Sequence, residues 1–236
     1  MLSPDSPLTS LPRDLPRRQI LFLDAIRLSG QMADFAYRAL VDTARRLMQR
    51  TDKPNPDDAT RAITHAYIDA ANRLREVVRS MPGLKHNHEY ELFMRGTNSV
   101  EQLRNVVQHL NQELKTIAER RTASMGTLSW LGPSPAPDCP ATAWILQWGS
   151  YYPELRTVGS RIDLLTGVTE GGVEDICLTT SATRVDLTHT CDRIQRLIRA
   201  IEAAARKLPA KSGKLGSDVL MHFELRPAPT QPQGEA

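Results

Sequence analysis

Between residues 15 and 122 the chain repeats one pattern: apolar residues at three- and four-residue steps, interrupted only by short helix-breaking clusters. That period gathers the apolar groups on one side of an α-helix, and such a stripe must be buried against another element. In LPRRQILFLDAIRLSGQMADFAYRALVDTARRLMQR the stripe is Leu21, Ala25, Leu28, Met32, Phe35 and Ala39. Phe22, Ile26, Ala33, Tyr37 and Leu40 widen it, which predicts a central helix with Gly30 as a candidate kink. Pro54 and Pro56 end it, because proline lacks the amide donor and clashes with the preceding turn. Asn55 then reads as a helix cap with Pro56 in the first turn. Ile63, Ala66, Ala70, Leu74, Val77 and Met81 form the second stripe, closed by MPGLKHN. A third helical region begins near His88 and breaks at Gly96-Thr97-Asn98-Ser99, where Asn98 or Ser99 caps a fresh helix. That helix carries Val100, Leu103, Val107, Leu110, Leu114 and Ile117. Long helices joined by short turns predict an antiparallel bundle.

The pattern then changes. GTLSWL, TAWILQWGSYY, RIDLLTGV and GVEDICLTTSATRVDL are rich in aromatic and β-branched residues and are separated by Gly and Pro clusters, with GPSPAPDCP as a loop and TEGG as a hairpin turn. They predict three or four antiparallel strands. Helical spacing returns from Leu187 to Lys207, with Ile194, Leu197, Ile198, Ile201 and Ala205 inward. The fold class expected is α+β: an antiparallel helical bundle with a small antiparallel β-sheet or hairpin inserted before the last helix. Residues 1–14, punctuated by proline, are expected to be disordered. Residues 15–208 form a single domain with the β embellishment at about 125–187. Residues 209–236 form a disordered tail, in which DVLMHFEL is the segment able to dock.

Composition narrows the function classes. Aromatics are only 5%, so the core is built from Leu, Ile, Val and Ala, which leans helical. A net charge of +3 does not by itself demand a polyanion or a membrane. Cys139, Cys177 and Cys191 are widely spaced and form no CxxC pair, so neither a disulfide framework nor a zinc site is indicated. Pro4, Asp5, Pro7 and Pro12 stand where a secretion signal needs a basic start and an apolar run, and no segment has the length of a membrane span. A cytoplasmic location without a membrane is expected.

Chemistry concentrates in LRNVVQHLNQEL, Leu103 to Leu114. On a helical wheel Val100, Leu103, Val107, Leu110, Leu114 and Ile117 fall together. Glu101, Asn105, Gln108, His109 and Gln112 fall opposite, with Arg104 at the border. Asn105 and His109 are four apart and are neighbours on a helix. The spacing of Arg, four to six residues, then His also occurs at Arg184–His189 and Arg79–His86. Only the copy at Arg104 has Asn directly after the Arg and lies in a helical stripe.

RNVVQH resembles the motif of the HEPN superfamily, helical bundles with Arg, four to six residues, then His, and often Asn after the Arg. The resemblance covers the helical first half of the chain. It implies RNA binding and, in many members, metal-independent endoribonuclease activity of a toxin–antitoxin or phage-defence kind. Such members act as homodimers whose motifs face each other across a cleft, while others serve as binding or dimerisation modules. It assigns catalysis to Arg104, Asn105 and His109. His109 would move a proton, Arg104 would stabilise phosphoryl charge, and Asn105 would orient the imidazole or bind phosphate. The partners implied are a second copy, RNA, and an antitoxin or other protein. The other reading is a non-catalytic helical interaction or dimerisation module. After His109 the chain runs Leu-Asn-Gln, without the aromatic or second charged group that many nuclease members show.

Arg193, Arg196 and Arg199 give the last helix a basic side able to attract a phosphate backbone, though no aromatic residues interleave with them. HNHE, His86 to Glu89, reads as a helix start where His and Asn serve as caps. No metal or cofactor is expected, because no sequence cluster offers three or four converging ligands. Trp130, Trp144, Trp148, Tyr151 and Tyr152 read as cover for a sheet face against a helix. GxSxG, GxxxxGK, GxGxxG after a strand, and HExxH are all absent.

Overall fold

A computed structural model describes residues 2–49, 58–82, 84, 87–120, 126–133, 141–149, 172–180, 183–208, 213–216 and 218. Helices α1 (Arg17–Gln49), α2 (Asp58–Ser80), α3 (His88–Gly96), α4 (Asn98–Gln108) and α5 (Leu110–Arg120) precede strands β1 (Thr127–Gly132), β2 (Thr142–Gln147), β3 (Glu174–Thr179) and β4 (Arg184–Asp186). Helix α6 (Leu187–Ala205) follows. The fold is α+β, as the change of periodicity predicts: mostly helical, with one small antiparallel sheet and a final helix after it. RIDLLTGV and nearly all of TEGG lie outside the described residues, as do Asn55, Pro56, Tyr151 and Tyr152.

The inward side of α1 is not the stripe first read from the sequence. Leu23, Ile26, Ala33, Ala36, Leu40, Ala44 and Leu47 are buried, whereas Leu21, Leu28, Met32 and Phe35 are exposed. Both sets recur at three and four residues, so α1 carries two apolar seams, and only the one facing α2 and α6 enters the core. Gly30 does not interrupt the helix. A Cβ there would run into Ile198 Cδ1, so this glycine lets α6 pass close to α1.

Helix α2 is more enclosed than its stripe suggests. Tyr67, Ile68, Ala70, Ala71, Leu74 and Val78 are buried, and so are the polar Thr60, Thr64, Asn72 and Arg75. Arg75 is the pin of the bundle. Its guanidinium donates to Glu101 Oε2 (2.9 Å), Thr97 Oγ1 (2.9 Å), Asn98 Oδ1 (3.3 Å) and the Met94 carbonyl. It thus satisfies carbonyl and side-chain oxygens at the α3–α4 turn, where a helix C-terminus is electronegative. Arg79 adds a second contact to Glu101 Oε2 at 2.6 Å. The two arginines, Arg79 first, hold the Glu101 carboxyl below its ordinary range.

The sheet has the order β2-β1-β3-β4, with every pair antiparallel. Trp130 and Trp144 are register partners, and their rings stack at 6.3 Å and 8°. Pairing of β1 with β3 shifts between Ser129 and Leu131, a bulge accompanied by Asp175 at φ 49. Asp186 ends β4 and caps α6, accepting from the His189 amide at 2.7 Å. The inward residues read for the last helix are all buried in α6.

Residues 2–14, expected to be loose, are packed instead. Leu8 and Leu11 are buried, and Pro7–Thr9 form one 3₁₀ turn capped by Ser6. Part of the expected tail closes on this segment. Pro12 bridges Lys214, and the Leu215 amide donates to the Leu11 carbonyl at 2.7 Å. Asp218 pairs with Arg27 at 2.8 Å. The side chain of Arg27 is only 2% exposed and also bonds Asp24 and Gln31. Donation by Arg27 to the Asp218 carboxylate raises the Arg27 pKa and lowers that of Asp218. Most of the remaining tail, including MHFEL, lies outside the described residues.

Candidate functional site

The helix expected from Val100 to Ile117 is divided in two at His109. His109 adopts φ −108 and ψ 33, its amide donating to the Asn105 carbonyl at 2.9 Å, and the Gln112 amide bonds back to the His109 carbonyl at 2.8 Å. No glycine or proline marks this joint. The break changes the fate of the apolar stripe. Val100 and Leu103 are buried before it and Ile117 beyond it, whereas Leu114 is 51% exposed.

The three motif residues are placed as follows. Arg104 is half-buried, its Nε 3.5 Å from Asp69 Oδ1 on α2. Asn105 and His109 are exposed. Among the described residues no hydrogen bond or ion pair links Arg104 to either of them. Successive helical residues are about 100° apart, so Arg104 leans toward α2 while Asn105 and His109 share the outer side. Leu103, buried at 0% exposure, anchors this turn from beneath, and the Arg75–Glu101 bond fixes the start of α4.

Two residues that the motif did not point to join Arg104 at this place. Asp69 follows His65 by four on α2, and Arg61 precedes His65 by four, so the three recur along one side of the helix. Burial lowers the His65 pKa, Asp69 opposes that shift and Arg61 adds to it. The imidazole is therefore predominantly neutral near pH 7. Its ring lies 6.1 Å from that of Trp148 just beyond β2, and Nε2 makes no hydrogen bond to the described residues. Two contacts thus meet on this side of α2: His65 with Trp148, and one turn on, Asp69 with Arg104. The four-residue spacing was visible in the sequence. Its junction with α4 was not, because a tertiary contact makes it.

Compared with family models, curated proteins and solved structures, the chain matches none. The HEPN likeness therefore stands on the stretch from Arg104 to His109.

The last helix presents its arginines differently. Arg193 donates to His189 Nε2 at 3.2 Å, and its stem lies against Gly96 of α3. Arg196 pairs with Asp192 at 2.9 Å, and Arg199 is exposed. They stand on α6, among residues distinct from those around Arg104.

Asn87, from the HNHE run, caps α3 by accepting from the Glu89 amide at 2.8 Å. No group of three or more His, Cys, Asp or Glu able to hold a metal occurs among the described residues. Cys177 and Cys191 are free and buried. Burial raises both thiols, Cys191 to about 11, so neither is an ionised nucleophile at neutral pH. No helix among the described residues is long and apolar enough to cross a membrane.

Proposed function

We propose that this chain is a HEPN-like cytoplasmic protein that binds RNA on the α2–α4 face and cleaves it without a metal. The observation that carries this reading is the half-exposed Arg104 guanidinium, held 3.5 Å from Asp69 on the α2–α4 face. His109 stands exposed at the end of the same helix. Arg104 would bind the phosphate oxygens. The exposed His109 would accept the proton of the ribose 2′-hydroxyl as that oxygen attacks phosphorus, and would return it to the departing 5′-oxygen, leaving a cyclic phosphate. His65, whose Nε2 is buried, stays behind the site. DNA lacks the attacking hydroxyl and would not be cleaved. Asn105, beside His109 on the outer side, would orient the imidazole or a phosphate.

The test is cleavage of a single-stranded RNA in EDTA by the purified chain. Activity is expected to vanish in His109→Ala, with the far-ultraviolet spectrum unchanged. Undiminished cleavage in that variant overturns the assignment. The exposed seam on α1 favours a second reading, in which the chain is a dimerisation module with no chemistry of its own.

A further inference from the structure

Among the described residues, four of the six exposed large hydrophobic side chains lie on one helix: Leu21 (59% exposed), Leu28 (44%), Met32 (48%) and Phe35 (77%). With the smaller Ala25 and Ala39 they follow the steps 4-3-4-3-4 without an error. That is the repeat of a coiled-coil seam, about 27 Å long at 1.5 Å per residue. A scattered exposed leucine needs no explanation, but a continuous ordered row of this length does. The helix already buries its opposite seam in the core, so the outer row is not needed to hold the monomer together.

We propose that the row is covered by the same row of a second copy, running antiparallel. Volume is the first reason. In an antiparallel pair the side chains meet in layers whose residue numbers sum to 60. Phe35 then faces Ala25 of the second copy, Leu21 faces Ala39, and Leu28 faces Met32. Each large group meets a small one at the ends, and two medium groups meet at the centre, so the layers fill evenly. A parallel pair would set Ala25 on Ala25 and Phe35 on Phe35, leaving gaps and crowding in turn.

Charge is the second reason. Asp24, Gln31 and Arg38 flank the row at seven-residue steps. The antiparallel pair sets Asp24 beside Arg38 of the second copy, twice by symmetry, and Gln31 beside itself near the two-fold axis. A parallel pair would set them against Ser29, Ala36 and Thr43, with no complement. Asp24 and Arg38 are 41% and 69% exposed despite their own-chain contacts to Arg27 and Asp34, so both have capacity for a further partner. The other flank, Ser29, Ala36 and Thr43, is buried in the monomer, whereas Asp24, Gln31 and Arg38 keep exposed surface beside their contacts to Arg27 and Asp34. This inference rests on the second reading above, to which it gives a surface and a direction. It uses α1 alone and stands whether or not RNA is cleaved.

Sedimentation velocity on the full chain, at concentrations from submicromolar to tens of micromolar, tests it. A monomer–dimer equilibrium is expected. Phe35→Asp should abolish it, with the circular dichroism spectrum and melting midpoint retained because the side chain is exposed. Asp24→Arg and Arg38→Asp should each weaken dimerisation roughly tenfold, and the double exchange should restore it. A monomer throughout assigns the row to a different protein and overturns the proposal. So does a dimer that survives Phe35→Asp, or single exchanges that the double does not rescue. RNA cleavage is read separately, so its loss or retention does not decide the outcome.

Discussion

Arg104 Nε and Asp69 Oδ1 stand 3.5 Å apart, an ion pair that ties α4 to the middle of α2. Both side chains keep contact with solvent, so the pair adds little to stability, about 0.5 kcal/mol or less. In the proposed function Asp69 competes with an RNA phosphate for the guanidinium.

The two halves of that pair should therefore act in opposite directions on RNA affinity. Arg104→Ala is expected to weaken binding of a short single strand and to lower the salt dependence by about one charge. Asp69→Ala, which removes a competing anion, should tighten binding. Fluorescence anisotropy at several salt concentrations measures both. Equal effects of the two variants would show that the pair does not face the strand.

Arg75→Met should destabilise the chain strongly. It removes the donor of four hydrogen bonds to oxygen at the α3–α4 turn and leaves Glu101 with Arg79. A loss of about 3 kcal/mol is expected, as for other broken buried ion pairs. Urea unfolding followed by circular dichroism reads it. Arg79→Met, at a side chain 40% exposed, should lose about 1 kcal/mol or less.

His65 predicts a pH dependence with a definite sign. Its folded pKa lies below the ordinary 6.5 because burial disfavours the imidazolium. On acidification the unfolded chain takes up this proton first. The stabilising contribution is thus complete above pH 6.5 and falls as pH drops through 6.5 toward the folded value. Stability of the native chain should decrease between pH 7.5 and 5.5 (roughly one unit either side of that value). In His65→Gln that part of the slope should disappear. An unchanged slope assigns the dependence to another group.

Gly30→Ala tests the close approach of α6 to α1. Alanine is the better helix residue by about 1 kcal/mol. Its methyl would nevertheless displace Ile198 Cδ1 in the closed core, and overpacking of this kind costs about 1–3 kcal/mol. The single variant should be destabilised. Ile198→Val removes the colliding carbon, so Gly30→Ala with Ile198→Val should be more stable than the sum of the singles. Additive singles would mean that the site relaxes without Ile198.

What the sequence disclosed differs by element. In α6 the apolar residues occupy one side only, so spacing alone identified the inward face. In α1 two apolar seams share one helix, and nothing local says which will meet α2. Arg27 and Arg75 would be assigned to the surface on their chemistry. They are buried because their carboxylate partners arrive from elsewhere, Glu101 twenty-six residues after Arg75 and Asp218 far beyond Arg27. The motif residues were visible as a set. Their separation into Arg104 toward α2, and Asn105 and His109 outward, depends on the turn at His109, for which the sequence carries no glycine or proline.

The clasp between Arg27 and Asp218 joins positions 191 residues apart. Closing so long a loop is entropically unfavourable and follows the shorter-range contacts of the bundle. During synthesis α1 emerges with its guanidinium paired only to the nearby Asp24 and Gln31, and the second carboxylate follows only after the helices and strands between them. A product cut short before Asp218 would leave that buried cation with half of its carboxylate partners.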